Sequence, residues 1–196
     1  MARKNTPSAT RSSWTGAEIA IVVSRYNASI TDRLLDGAVS AYQARGGSPA
    51  DLMIIDAPGA FEIPSLCDAA AATGRFSGIL ALGCIIKGET SHDQHLASAV
   101  AHGLVNISLL TGVPASLGVL TVNSVQQARD RAGGKHGNKG EEAMNALLLT
   151  IQQIQRLQNA GGAGSDDAEP NQVALPDKAA TGRKSPGASR GSGGRR

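Results

Sequence analysis

The stretch from Ile79 to Ile86 is apolar without alternation, and polarity arrives abruptly after it with Lys87, Gly88, Glu89, Thr90, Ser91, His92 and Asp93. A strand with one wet face would alternate, so an unbroken apolar run describes a strand covered on both faces of a parallel sheet. Ile19 to Val23 reads as an earlier buried strand, Leu52 to Ile55 as a second, and Leu117 to Val122 as a fourth. Between them apolar residues recur at helical spacing. Leu34, Leu35, Ala38, Val39 and Tyr42 predict a helix with Thr31 as its cap and Gly46 and Gly47 as its stop. Pro64 fits the first turn of a second helix that runs to about Thr73 and ends at Gly74. Leu96, Val100, Leu104 and Ile107 predict a third, capped by Thr90 or Ser91 and stopped near Gly112, before Pro114. Ser124 caps a short helix through Arg131, and Met144, Leu147, Leu148, Ile151 and Ile154 mark a last one from Glu141 to about Leu157. The intervening stretch from Gly133 to Gly140 is too rich in glycine for a helix and reads as a loop.

Strand and helix alternate throughout. That order predicts a three-layer α/β/α sandwich, with about four parallel strands, helices on both faces and right-handed crossovers. So small a sheet leaves edge strands with unpaired backbone groups, which a neighbouring subunit could cover. Residues 1–15 read as a flexible N-terminal segment or edge strand, residues 16–158 as the domain, and residues 159–196, dominated by Gly, Ser, Pro and Arg, as a disordered tail.

Charge changes the picture only once it is divided. The chain carries a formal +3, but Arg3, Lys4 and Arg11 supply three positive charges before Trp14. From Asn159 onward six basic residues face four acidic ones, so the segment between carries −2. A mildly acidic core lacks the basic face that nucleic-acid binding requires. Cys67 and Cys84 form neither a CxxC pair nor a disulfide framework, which suits a reducing compartment. With no apolar segment of signal-peptide length at the start and none approaching the roughly 20 residues of a membrane span, the expectation is a cytoplasmic protein that does not enter membranes.

The candidate chemistry lies at strand ends, where open α/β sheets bind ligands. The helix start after Lys87 presents unpaired amides that attract a phosphate or carboxylate. His92 falls in that first turn, where the positive end of the helix dipole favours a neutral imidazole suited to moving protons; it could equally be a solvated helix-start residue. His92, Asp93 and His95 could suggest a metal, but the histidines at i and i+3 lack a convincing third and fourth ligand elsewhere in the chain, and no metal is expected. Pro58 and Gly59 force a turn after the second strand, placing Ala60, Phe61 and Glu62 where backbone amides and a carboxylate could meet a polar ligand, or where Glu62 merely caps a helix. Tyr26, one of five aromatic residues, follows the first strand and could stack on a flat ring. Arg131, Lys135 and Lys139 surround the glycine-rich segment and could clamp a phosphate or form a solvated face. The chain has no Walker A motif, no GxGxxG after a strand and no GxSxG, which argues against an ATPase, a dinucleotide enzyme or a serine hydrolase.

Five blocks together carry a resemblance: SRYN at Ser24 to Asn27, APGAFEIP at Ala57 to Pro64, ALGCIIKGETSHDQH at Ala81 to His95, GVLTVNSVQQARDRAG at Gly118 to Gly133 and GNKG at Gly137 to Gly140. Their order and spacing over about Gly16 to Leu157 closely resemble the lumazine synthase family. The resemblance implies a flavodoxin-like fold and the condensation of 5-amino-6-ribitylaminouracil with 3,4-dihydroxy-2-butanone 4-phosphate to 6,7-dimethyl-8-ribityllumazine, phosphate and water, with no cofactor. It implies that Tyr26 stacks on the pyrimidine, that Ala60, Phe61 and Glu62 hold the ribityl chain, and that Cys84, Ile85 and Ile86 line the ring pocket through their backbone. Glu89 and Thr90 would meet the butanone phosphate with Arg131 as its clamp, and His92 would move protons. Two positions depart from the family pattern. Tyr26 stands where Phe or Trp is usual, and Leu117 where many members have Phe. The resemblance further implies a pentamer whose sites lie between subunits, with Leu117 and Arg131 supplied by the neighbour, and, given the compact segment Gly133 to Gly140, a hollow icosahedral shell of sixty subunits. Riboflavin synthase would be an encapsulated or downstream partner, and the Arg-rich tail could bind an anionic cargo. Two alternatives share the fold: a non-catalytic shell scaffold or flavin and lumazine binder, and a riboflavin synthase of the archaeal type. Intact Glu62, His92 and Arg131 argue against the first, and the GETSH block against the second.

Overall fold

A computed structural model describes residues 17–162. Four strands, β1 (Ile19–Ser24), β2 (Leu52–Ala57), β3 (Gly78–Ile86) and β4 (Ala115–Val122), form one parallel sheet in the order β2-β1-β3-β4. Ile21 lies beside Ile54 on one side and Leu80 on the other, and Leu82 beside Gly118. Every residue of β1 is buried, as is all of β3 except Ile86, which accounts for the apolar runs Ile19 to Val23 and Ile79 to Ile86. The edge strands β2 and β4 are partly exposed, with Met53, Ile54 and Leu117 open to solvent.

Because successive strand residues point to opposite faces, the core divides in two. Ile19, Ile21, Val23, Leu80 and Leu82 pack with Leu34 and Tyr42 of α1 (Ala28–Ala44) and with Met144, Leu147 and Leu148 of α5 (Lys139–Gly162). On the other face Ala20, Val22, Ile79, Ala81 and Ile85 meet Ile63 and Cys67 of α2 (Ile63–Ala72) and Val100 and Leu104 of α3 (His92–Thr111). The result is the expected three-layer α/β/α, flavodoxin-like arrangement.

The helix ends differ from expectation in three places. Helix α1 starts at Ala28 behind Asn27, and Thr31 is buried within its first turn instead of capping it. Ser91 precedes α3 without a side-chain cap, while the Thr90 hydroxyl accepts from the His92 amide at 3.4 Å. The segment expected as a loop folds into a tight antiparallel hairpin, β5 (Ala132–Gly134) with β6 (Gly137–Asn138), after α4 (Val125–Arg131). Helix α5 therefore begins at Lys139, two residues early, and continues past Leu157. Asn138 explains the early start: its Oδ1 accepts from the amides of Gly140 and Glu141 at 2.8 and 3.4 Å, and its Nδ2 donates to the Arg33 carbonyl at 2.8 Å. A Cβ at Gly140 would fall 1.9 Å from the Leu34 carbonyl oxygen, so glycine is what lets α5 approach α1 here. The expected N-terminal segment and the tail from residue 163 lie outside the described residues; residues 159–162 are helical.

Candidate active site

The sheet order makes β1 and β3 neighbours whose following connections lead to opposite sides, and a crevice opens beyond their carboxyl ends. It holds a cavity of about 410 Å³, within the usual range for small-molecule sites. One wall is Tyr26 and Asn27, which follow β1. Tyr26 is 71% exposed, its ring free to meet a ligand face. Asn27 adopts a left-handed backbone, φ 64°, and its Nδ2 donates to the Cys84 carbonyl at 3.0 Å, tying the end of β1 to the cavity floor. Ala60, in the turn after β2, closes a second side.

The floor is Cys84, Ile85 and Ile86 at the end of β3. The Cys84 side chain belongs to the core beneath α1 and α5, and burial pushes its thiol up to about 11. A thiol so placed is protonated at neutral pH and is no nucleophile, which leaves the backbone of this strand to face a ligand. The remaining wall is the entry to α3, with Gly88, Thr90, His92, Asp93 and Leu96. Here the unpaired amides of the first helical turn point outward, a setting that favours an anion.

Of the residues singled out from sequence, the cavity brings together Tyr26, Ala60, Cys84, Ile85, Ile86, Thr90 and His92. Glu89 is exposed beside Thr90 and does not line the cavity. Phe61 is 69% exposed and lies instead against Pro64, Ala99 and Val100 in a separate groove of about 210 Å³. Glu62 occupies the residue before α2 but does not cap it, and among the described residues its carboxylate has no hydrogen-bond or ion-pair partner. The bland reading of Glu62 as a helix cap therefore fails.

Leu117, Arg131, Lys135 and Lys139 are not brought to this cavity within one chain. Leu117 lies on the outer strand β4. Arg131 donates to the His136 carbonyl at 2.7 Å and pairs with Glu142 Oε2 at 3.0 Å, and Lys139 reaches the same oxygen at 3.4 Å. Burial raises the Glu142 carboxyl, but the hydrogen bond and charge of Arg131, with Lys139 behind it, outweigh this and hold it below the usual carboxylate range. Two cations thus converge on one carboxylate oxygen, much as they would on a phosphate oxygen. Lys135 is exposed at the hairpin tip.

Sequence reasoning did not assign Asn27 or Asp93 to the site. Asn in the short connection between a buried strand and a helix, directly before the helix, is a signal for a left-handed junction and could have identified Asn27. Asp93 carried none beyond its nearness to His92. Among the described residues no three of His, Cys, Asp and Glu gather as a metal site would need.

Comparison with known proteins adds to this geometry. The sequence model of the 6,7-dimethyl-8-ribityllumazine synthase family matches residues 16–155. The chain is similar to proteins of that name from Sulfurovum sp. (strain NBC37-1), 47% identical over 134 residues that make up 68% of this chain and 86% of the relative. The corresponding protein of Campylobacter curvus (strain 525.92) is 44% identical over 131 residues, 67% of this chain and 84% of its own. That of Xanthomonas euvesicatoria pv. vesicatoria (strain 85-10) is 45% identical over 137 residues, 70% and 89% of the two chains. Both the match to the family and the extent of these alignments lead to one statement: the chain belongs to the 6,7-dimethyl-8-ribityllumazine synthase family.

Proposed function

We propose that this chain is the transferase of riboflavin biosynthesis that condenses 5-amino-6-ribitylaminouracil with 3,4-dihydroxy-2-butanone 4-phosphate to 6,7-dimethyl-8-ribityllumazine. The observation that carries the reading is a single crevice in which an exposed aromatic ring, a strand-end backbone and a histidine at a helix start adjoin one another. Tyr26 stacks on the pyrimidine, the backbone of Cys84, Ile85 and Ile86 pairs with its edge, and Ala60, Glu62 and the backbone of Phe61 hold the ribityl chain. Glu89 and Thr90 meet the butanone phosphate. His92 moves protons as the 5-amino group attacks the ketone and water leaves to give the imine. Phosphate is then eliminated, the enol tautomerises, and the ribityl-bearing nitrogen closes the ring with loss of a second water. Holding both reactants in one crevice supplies much of the acceleration, since effective molarities for oriented pairs are very large.

The clamp of Arg131, with Lys139 and the nearby Lys135, lies away from this crevice in its own chain, which supports a site completed by a neighbouring subunit contributing Leu117 and Arg131. Exposed apolar residues on both edge strands, and Val105, Leu109 and Leu110 on α3, support assembly into a pentamer. The tight hairpin β5–β6 supports further closure into an icosahedral shell, with riboflavin synthase as encapsulated or downstream partner. We further propose a cytoplasmic location from the two unpaired cysteines; among the described residues no helix is long and apolar enough to cross a membrane. Incubating the purified protein with both substrates and following lumazine absorbance together with released phosphate tests the function: the two products appear in equal amounts and in proportion to enzyme. Binding of lumazine without any turnover would refute it.

A further inference from the structure

Asp93 is the one carboxylate lining the crevice, and it is out of place there by every ordinary rule of burial. It is the only acidic residue in the first turn of α3 and is 8% exposed. Its Oδ1 is closed to solvent and has no hydrogen-bond partner, and among the described residues no hydrogen bond or ion pair reaches Oδ2, the oxygen left to meet a donor in the crevice. Buried carboxylates are ordinarily paired, because losing hydration without gaining a donor is costly. The helix dipole partly compensates the charge but supplies no hydrogen bond. His92, one residue earlier, cannot serve as the donor, because adjacent helical residues project in different directions. Among the described residues no third metal-capable side chain is near enough for a cation site. Within one chain no protein donor remains, and a donor that enters the crevice with the ligand would meet Oδ2.

Resting on the functional reading above, we propose that Asp93 is a further substrate contact, whose carboxylate accepts a hydrogen bond from the 5-amino group of the pyrimidine. The placement fits that group more than any other donor on the two substrates. Asp93 shares the α3 entry wall with His92 and Thr90 and lines the same crevice as the strand-end floor of Cys84 to Ile86, alongside the residues assigned to the butanone phosphate and to the pyrimidine edge. An acceptor at the N–H leaves the nitrogen lone pair directed at the ketone carbon. As that pair forms the C–N bond and the carbonyl π pair moves to oxygen, the nitrogen becomes positive beside a negative oxygen. Asp93 holds the amine through this step and does not itself take the proton. An unpaired charge kept ready for a ligand also implies a cost in the free protein, as strained and unsatisfied groups at functional sites generally do.

The test is Asp93→Asn, which keeps shape but exchanges one acceptor oxygen for a donor, with Asp93→Ala as a second variant. Binding of 5-amino-6-ribitylaminouracil and of its 5-nitro analogue is measured on the full chain, alongside thermal unfolding and the sedimentation of the assembly. The expected result is a loss of about tenfold or more in affinity for the amino compound in both variants, consistent with the strength of a charge-assisted bond. Affinity for the nitro analogue, which offers only acceptors at position 5, is expected to hold or improve, and the unfolding temperature of Asp93→Asn to hold or rise. Equal weakening of both ligands, unchanged affinity for the amino compound, or dissociation of the assembly with binding per site intact would overturn the proposal, the last by assigning the carboxylate to a subunit contact. If the unaltered protein bound neither pyrimidine, the functional reading itself would fail, an outcome distinct from a wild-type protein that binds and a variant that binds equally well.

Discussion

Asn27 couples the fold to the crevice, and its replacement yields a prediction with a definite ordering. The residue stands at φ 64°, where a side chain with a Cβ is strained by about 1–2 kcal/mol, a cost that Asn tolerates better than most. Its Nδ2 also donates to the Cys84 carbonyl at 3.0 Å in a partly buried setting, a bond with a net worth of about 1 kcal/mol. Asn27→Ala loses the bond and incurs the strain, for about 2–3 kcal/mol. Asn27→Gly loses the bond and avoids the strain, but its looser unfolded chain costs about 0.5–1 kcal/mol, for about 1.5–2 in all. Alanine is therefore the worse substitution by about 1 kcal/mol, the reverse of what helix propensity alone would give at a helix start. Urea unfolding at one fixed protein concentration should show the alanine midpoint below the glycine midpoint by about 0.5 M, with equal slopes. Equal midpoints, or glycine below alanine, would refute the assignment of left-handed strain to this junction.

Three further outcomes follow from the same structure. Tyr42 is fully buried with its hydroxyl on the Ala17 carbonyl at 2.8 Å, so Tyr42→Phe should cost about 1–3 kcal/mol in urea unfolding and leave turnover unchanged. Glu142, held below its ordinary value of 4.5 by Arg131 and Lys139, contributes stability that is present above that value and lost as pH falls through the lowered one. Unfolding titrations from pH 7 downward should accordingly show the advantage of wild type over Glu142→Gln shrinking below about pH 4.5, and an advantage that grew with acid would contradict the pairing. His92→Ala should lower kcat by about a hundredfold without abolishing the reaction, because proton transfer is only one contribution beside the holding of two reactants.

The sheet was legible because burial on both faces leaves no polar residue in β3 and only the terminal Ser24 in β1, and a run such as Ile79 to Ile86 then has no competing interpretation. The strand-end crevice followed from the same topology, and with it Tyr26, Ala60, Thr90 and His92. Boundaries set by single side chains were less legible. Thr31 looks like a cap, but the chain turns left-handed at Asn27 and the helix begins before Thr31 is reached. The glycines from Gly133 to Gly140 hide a hairpin, because Asn138 fastens it to α1 through a contact 105 residues away in sequence. Phe61 follows Ala60 directly, yet its side chain lies in a groove against α3, an orientation that the motif does not encode. The bareness of Asp93 is purely a property of the packed molecule. No pattern in the sequence distinguishes a carboxylate that finds a partner from one that does not.

The assignment of a site shared between Tyr26 and His92 of one subunit and Arg131 of the next is tested most directly by mixed assemblies. On that proposal, neither His92→Ala nor Arg131→Ala chains contain a complete site when assembled alone. Co-assembled in equal amounts, they leave about a quarter of sites with both wild-type residues if each site spans two adjacent subunits of a cyclic oligomer, by random pairing. The account predicts that turnover in the mixture rises to about a quarter of the wild-type value, well above the mean of the two variants. Activity that stayed at that mean would place His92 and Arg131 in the same chain's site, or leave Arg131 outside the reaction, and would contradict the account.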